Sequence, residues 1–230
     1  RSCVKRLLND EPFQHIIGST FFYGLELQTD ARALIPRPET EELVDWVVND
    51  YEGKKSLRVI DLCTGTGCIA LGLKSVFKTA SIDAIDFSLD ALTLAKENSN
   101  TTGLELNFRQ LDVLSEAAFS PKIFLPNSYD CWVSNPPYIP ESDKAKMAKN
   151  VLDFEPEMAL FVENEDPLKF YLKIAQDSLV FLKKEGALYF EIHEEYGEEL
   201  REKLIHLGFE GVELRKDLQG KDRMLKAVKR

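Results

Sequence analysis

The sequence predicts a doubly wound α/β fold, a largely parallel sheet with helices on both faces. Three observations lead there. From residue 57 onward, short apolar segments alternate with segments of helical period. A Gly-rich turn, Gly65-Thr66-Gly67, joins the first of those strands to the first helix. The chain has 230 residues, which suits one large domain, or one plus a fragment, at roughly 100–200 residues per domain. A chain of this size buries on the order of 70% of the surface it would expose unfolded.

The elements follow in order. Residues 1–18 read as the end of a helical region. Val4, Leu7 and Leu8 keep helical spacing until Asn9-Asp10-Glu11-Pro12 breaks it. Residues 20–35 read as a β-hairpin, from Phe21-Phe22-Tyr23 through the Gly24 turn to Leu25, Leu27 and Ala33-Leu34-Ile35. Pro36-Arg37-Pro38 opens a helix whose apolar face is Leu43, Trp46 and Val47, with Glu39, Glu41 and Glu42 favourable near its positive end.

Strands are then expected at 57–60, 81–85, 104–111, 129–134 and 187–190. The helices between and after them fall at 67–78, 89–101, 167–183 and 195–207, and two closing strands lie between Gly208 and Val228. Strands that alternate with helices form parallel sheets buried on both sides, joined by right-handed crossovers. Such sheets bind ligands beyond the carboxyl ends of their strands, at the switch point. Residues 61–67, 86–87, 112–113 and 135–138 are the places to look.

Lys and Arg total 29 against 39 Asp and Glu, a formal net charge of −10. Phosphate backbones and anionic membrane surfaces repel such a chain, so direct nucleic-acid and membrane partners are not expected. No apolar run approaches the roughly 20 residues of a membrane-spanning helix. Cys3, Cys63, Cys68 and Cys131 form no CxxC pair, and with His15, His193 and His206 scattered, no metal site is expected. Reduced thiols in a cytoplasmic protein are the natural expectation. Arg1 opens the chain with neither a Met nor a signal peptide, so a fragment of a longer protein is expected.

Two motifs carry chemistry. The first is Asp61-Leu62-Cys63-Thr64-Gly65-Thr66-Gly67-Cys68-Ile69-Ala70, running from strand into helix. Its glycines permit a tight turn and close approach of a ligand to backbone N–H groups. Asp86, 19 residues after Gly67, stands where a carboxylate accepts the two hydroxyls of a ribose. Two other readings stay open: Asp86 as the cap of the helix from 88, and Gly65-x-Gly67-x-x-Ala70 as the dinucleotide fingerprint of a nicotinamide-dependent oxidoreductase. Asp112 and Val113 are placed to border a nucleobase.

The second motif is Ser134-Asn135-Pro136-Pro137-Tyr138-Ile139-Pro140. Paired prolines donate no hydrogen bond and end the fourth strand. What remains is a turn rich in acceptors, with the Asn135 side-chain carbonyl added. It suits a ligand with N–H hydrogens to give, and Tyr138 offers a ring to lie against a flat amide or base.

Asn135-Pro136-Pro137-Tyr138 resembles the signature of class I S-adenosylmethionine methyltransferases that modify planar NH2 groups. These comprise methylases of exocyclic amino groups on DNA bases and methylases of the glutamine side-chain amide. The rest of the chain resembles the second branch, the PrmC/HemK family of release-factor glutamine methyltransferases. The likeness lies in Phe22-Tyr23-Gly24-Leu25, Leu34-Ile35-Pro36-Arg37-Pro38-Glu39-Thr40-Glu41-Glu42-Leu43, Phe154-Glu155-Pro156-Glu157-Met158-Ala159-Leu160 and Lys216-Asp217-Leu218-Gln219-Gly220-Lys221-Asp222-Arg223.

The resemblance implies a seven-stranded, mostly parallel sheet with the last strand antiparallel, and a helical domain ahead of it of which residues 1–18 are the remnant. Residues 19–50 would be a hairpin and lead-in helix, and 51–230 the S-adenosylmethionine-dependent methyltransferase domain. Cys63, Thr64, Gly65, Thr66 and Gly67 would hold the methionine part of S-adenosyl-L-methionine, Asp86 the ribose, and Val113 would lie beside the adenine. Asn135 would touch both cofactor and glutamine, and Pro136, Pro137 and Tyr138 would complete the glutamine pocket. The partner implied is a peptide-chain release factor, methylated at the Gln of its Gly-Gly-Gln loop.

Three departures stand out. The family often has Gly where Cys63 stands, and some members have Trp where Val113 stands. Segment Glu191-Ile192-His193-Glu194-Glu195-Tyr196-Gly197 departs from the commoner Glu-Ile-Gly pattern and is assigned no chemistry; His193 reads as a surface or packing residue. The alternatives are a DNA amino methylase, which the charge of −10 disfavours, the oxidoreductase, and a non-enzymatic binding module that kept the fold.

Overall fold

The structure is a computed structural model and describes residues 2–116 and 118–230. Two short helices come first, α1 (Ser2–Leu8) and α2 (Phe13–Ile17). Strands β1 (Ser19–Phe22) and β2 (Leu25–Gln28) pair antiparallel through a two-residue turn. Both turn residues are left-handed, Tyr23 at φ 50° and Gly24 at φ 74°, as the twist of a tight hairpin requires. The hairpin is pinned to helix α3 (Pro38–Asp50), because Tyr23 N–H donates to Glu41 at 2.8 Å and its hydroxyl to Asp45 at 2.7 Å.

The hairpin is shorter than the sequence suggests. Ala33-Leu34-Ile35 does not join it. Asp30 accepts the Arg32 N–H at 3.0 Å, turning the chain away from β2. The following segment runs without a strand partner, and the Ile35 N–H goes instead to a side chain, Glu155 Oε2, at 3.1 Å. Helix α3 begins as expected, with Pro38 in its first turn and Glu39 and Glu41 beside it.

Next come β3 (Arg58–Leu62), α4 (Cys68–Val76), β4 (Ser81–Asp86), α5 (Leu89–Thr102), β5 (Asn107–Gln110) and β6 (Tyr129–Ser134). A stretch of short pieces follows: β7 (Ile139–Pro140), a 3₁₀ turn at Glu141–Lys146, α6 (Lys149–Phe154), α7 (Glu157–Leu160) and β8 (Phe161–Val162). The chain ends with α8 (Lys169–Phe181), β9 (Leu182–Glu191), α9 (Gly197–His206), β10 (Phe209–Lys216) and β11 (Asp222–Lys229). Strand β9 starts earlier than the apolar run 187–190 suggests, because its first residues pair irregularly with Tyr129 before the regular ladder begins at Cys131.

The main sheet has seven strands in the order β10-β11-β9-β6-β3-β4-β5. The five strands from β9 to β5 are mutually parallel, and β11 runs antiparallel to both its neighbours. Alternate residues serve opposite faces. Ile60, Trp132, Leu188 and Phe190 meet α8 and α9 in one core, while Val59, Cys131, Val133 and Tyr189 meet α3, α4 and the hairpin in the other. Trp132 is fully buried and stacks on Phe181 at an interplanar angle of 15°. Two packed faces hold the central strands rigid, and the chain's crossovers part between β3 and β6. Leu62 lies opposite Ser134 there, so the two turns singled out in the sequence leave the sheet side by side.

Candidate active site

A cavity of about 360 Å³ opens at this point, lined on one side by Cys63, Thr64, Gly65, Thr66, Asp86, Val113, Asn135 and Pro137. The opposite wall is Ala33 to Arg37, with Thr40, Met158, Ala159, Phe161 and Phe170. Of the residues expected to form the site, Gly67, Pro136 and Tyr138 stand behind this lining. Gly67, at φ 81°, is the cap that starts α4, and a Cβ there would come within 3.3 Å of Ala95 Cβ. Both constraints demand glycine.

The first turn is held by two carboxylates. Asp86 Oδ2 accepts the Gly65 N–H at 2.9 Å, and its Oδ1 accepts the Ser88 N–H at 2.9 Å. It therefore ties the end of β4 to the Gly-rich turn. The capping role falls to Ser88, whose hydroxyl accepts from Ala91 N–H at 3.2 Å. Burial pushes the Asp86 carboxyl above the ordinary carboxylate range, against the pull of those N–H groups.

Asp61 is wholly buried under the same turn. Its Oδ2 accepts from Thr64 Oγ1 at 2.5 Å and from Ala70 N–H at 3.2 Å, while Oδ1 has no protein partner among the described residues. Burial pushes its carboxyl up to about 7, even with those two bonds opposing. Cys63 takes φ 58°. That left-handed backbone costs an L-residue roughly 1–2 kcal/mol, the physical reason a glycine serves well at this position.

The second turn is the donor-poor one. Ser134 is anchored by its hydroxyl, which donates to Leu62 C=O at 2.7 Å. Pro136 and Pro137 are buried. Asn135 reaches the cavity with Nδ2 3.4 Å from Thr40 Oγ1. Tyr138 donates its hydroxyl to Glu191 Oε1 at 3.2 Å, and burial drives its phenol pKa far up. His193 is the packing residue expected, its ring 6.1 Å from that of Tyr138 and 5.2 Å from that of Tyr196.

Sequence reasoning missed three contributors. Glu191, in the segment assigned no chemistry, ends β9 only 2% exposed and accepts from Thr40 Oγ1 at 2.6 Å. Thr40 itself lay unremarked inside a motif on α3. Glu155 braces two residues of the far wall, pairing with Arg37 at 2.6 Å and accepting the Ile35 N–H. A buried acid at a strand's ligand end is a readable signal, but the partners lie 151 and 118 residues apart in sequence. Val113 is 5% exposed and joins Leu111 and Leu114 in an apolar wall, broad enough for a flat heterocycle.

The arrangement joins a donor-bearing turn, a carboxylate at hydroxyl-binding position, an apolar slot and an acceptor-rich turn in one cavity. Among the described residues no group of three His, Cys, Asp or Glu is placed to hold a metal ion, and no helix is long and apolar enough to cross a membrane.

Comparison with known proteins agrees. The Methyltransferase small domain (MTS) family matches residues 40–157. A release factor glutamine methyltransferase of Bacteroides thetaiotaomicron is 43% identical over 97% of this chain and 78% of its own length. Its counterpart in Flavobacterium psychrophilum is 40% identical over 96% of this chain and 76% of its own length. Among solved structures, the release factor-specific protein-(glutamine-N5) methyltransferase of Alicyclobacillus acidocaldarius superposes with a TM-score of 0.50 at 25% identity, over 85% of this chain and 94% of that one. With these relatives the oxidoreductase and DNA-methylase alternatives give way, and the chain belongs to the release factor glutamine methyltransferase family.

Proposed function

We propose that this protein transfers a methyl group from S-adenosyl-L-methionine to the side-chain amide nitrogen of a glutamine, the Gln of the Gly-Gly-Gln loop of a peptide-chain release factor. The observation that carries the reading is the meeting, in one cavity, of Asn135 and Pro137 with Cys63, Thr64, Gly65, Thr66 and Asp86.

The residues present fit the cofactor. Asp86 reaches the cavity with a carboxylate already oriented by Gly65 and Ser88 N–H groups, and its remaining lone pairs suit a ribose diol. Gly65, at φ 55°, lets the turn approach a ligand without a Cβ in the way. Asp61 Oδ1, buried and unpartnered, sits beneath the turn that would hold the cationic end. Val113 and its neighbours suit the adenine.

When bound, the cofactor supplies an electrophilic methyl on a sulfonium. The protein's part is alignment. An amide nitrogen is a poor nucleophile because its lone pair is shared with the carbonyl. The Asn135 side-chain oxygen and the Pro136 carbonyl would each accept one amide N–H, which turns the nitrogen lone pair out of conjugation and toward the methyl. The same two oxygens would stabilise positive charge growing on nitrogen. Positioning of this kind can supply on the order of 7–11 kcal/mol of a barrier. The cavity walls, largely apolar, keep water from competing for the methyl. No side chain of the lining is needed as a general base, since the nitrogen sheds its proton readily after methylation.

Residues 1–18 are read as the close of a helical domain, 19–50 as hairpin and lead-in helix, and 51–230 as the methyl-transfer domain. Exposed Val4, Leu7 and Leu8 on α1 support the first assignment. The reaction is placed in the cytoplasm, where release factors act. The test is incubation with labelled cofactor and purified release factor, followed by mass spectrometry. A methyl on the loop glutamine is expected. A methyl elsewhere, or none, would overturn the reading.

A further inference from the structure

We propose that Thr40 and Glu191 form a one-way hydrogen-bond relay that fixes which end of the Asn135 amide faces the substrate, and so makes the site choose a glutamine over a glutamate. This rests on the reading that Asn135 receives a glutamine amide.

The relay follows from counting protons. Glu191 is buried at the end of β9, and an ionised carboxylate has no proton to donate. Both its oxygens are engaged as acceptors, Oε2 from Thr40 Oγ1 at 2.6 Å and Oε1 from Tyr138 OH at 3.2 Å. Burial raises this carboxyl above its ordinary value, and the hydroxyls of Thr40 and Tyr138 together with the positive charge of Arg223, itself held by Asp217 at 3.1 Å, oppose that shift and favour the ionised form. The Thr40 hydroxyl has one proton and gives it to Glu191. Toward Asn135 it therefore offers only lone pairs. The group of Asn135 that can answer is Nδ2, which lies 3.4 Å away. The amide oxygen is left to the cavity, where no described protein group takes it.

The direction matters because glutamine and glutamate have nearly the same shape. With Oδ1 outward, Asn135 accepts from an NH2 and repels a carboxylate. Turned over, it would offer its own NH2, which welcomes a carboxylate and clashes with an amide's hydrogens. Shape alone separates such isosteres poorly, whereas unmatched polar groups in a buried site separate them well. Thr40 comes from α3 and Glu191 from β9, so the relay also couples the lead-in helix to the sheet. Both are positioning residues, acting through Asn135.

The experiment uses purified release factor and its glutamine-to-glutamate form, the first as methyl acceptor and the second as competitive inhibitor. Thr40→Val keeps the shape and removes the hydroxyl. It is expected to lower kcat/KM for the glutamine form on the order of tenfold, the cost of one directional hydrogen bond. It should at the same time strengthen inhibition by the glutamate form relative to wild type. Thr40→Ser, which keeps the hydroxyl, should restore the wild-type preference. Glu191→Gln, which can donate as well as accept, should lose preference to a smaller extent while the fold is kept. Equal weakening of both forms in Thr40→Val, or an unchanged preference in both Thr40→Val and Glu191→Gln, would overturn the relay. Failure of the wild-type enzyme to methylate the glutamine form would instead overturn the functional reading on which it rests.

Discussion

Two turns leave adjacent strands of the same sheet a few residues from each other, and they are built with opposite hydrogen-bond polarity. The turn after β3 is rich in glycine and N–H donors, and buried or half-buried carboxylates, Asp61 and Asp86, hold it from below and from the side. The turn after β6 has two prolines and no donor at those positions, and it presents oxygens. The first is suited to hydroxyls and a charged amino acid moiety, the second to an NH2 group. On the proposed reading, one fold would hold two chemically unlike ligands in one cavity by changing only which half of the peptide group each turn exposes.

The largest effect should come from breaking the acceptor turn. Asn135→Ala is expected to lower turnover on the order of 10²- to 10³-fold, comparable to removing one preorganised group from a charge-stabilising site. Cofactor binding, measured by calorimetry, should change far less. A parallel loss of both would mean that the two turns do not divide their tasks.

The donor turn should respond in the opposite sense. Asp86→Ala is expected to weaken the cofactor's Kd roughly 10- to 100-fold, the worth of charge-assisted hydrogen bonds. The KM for release factor at saturating cofactor should hold. A change confined to release-factor KM would contradict the assignment.

The smallest effect sharpens the comparison through pH. Burial raises the Glu191 carboxyl above its ordinary value, with Thr40, Tyr138, Arg223 and Glu39 as the groups that bear on it. Below that raised pKa the carboxyl is protonated and can donate to Thr40, so the relay loses its direction. Turnover should fall as pH drops through this range, by at most about the tenfold expected of Thr40→Val, and the acid limb should be absent in Thr40→Val. An acid limb of the same size in that variant would assign it to another group.

Much of this was legible in the sequence because the responsible residues are close together in it. The turn at Cys63–Gly67, the arrest of β6 by Pro136 and Pro137, and Asp86 at the end of the following strand each belong to a local pattern with a local cause. The strand alternation likewise foretold both faces of the sheet, since Val59 and Ile60 can only point opposite ways. What could not be read depended on long-range pairing. Ala33-Leu34-Ile35 has the apolar look of a strand, but its N–H group at Ile35 is satisfied by Glu155, 120 residues away. Glu191 meets Thr40 only because β9 and α3 pack together. By type Asp86 suits the cap of the following helix, and only the folded backbone decides that Ser88 caps while Asp86 turns to Gly65.

The central claim is that the Asn135 turn presents the reacting nitrogen to the cofactor's methyl. A crystal structure of the enzyme with release factor and a non-reactive cofactor analogue tests it most directly. The account predicts the glutamine amide hydrogen-bonded to Asn135 Oδ1 and the Pro136 carbonyl, with its nitrogen roughly 3–3.5 Å from the position of the methyl group. A glutamine held elsewhere, or a cofactor seated away from Asp86 and the Cys63–Gly67 turn, would contradict it.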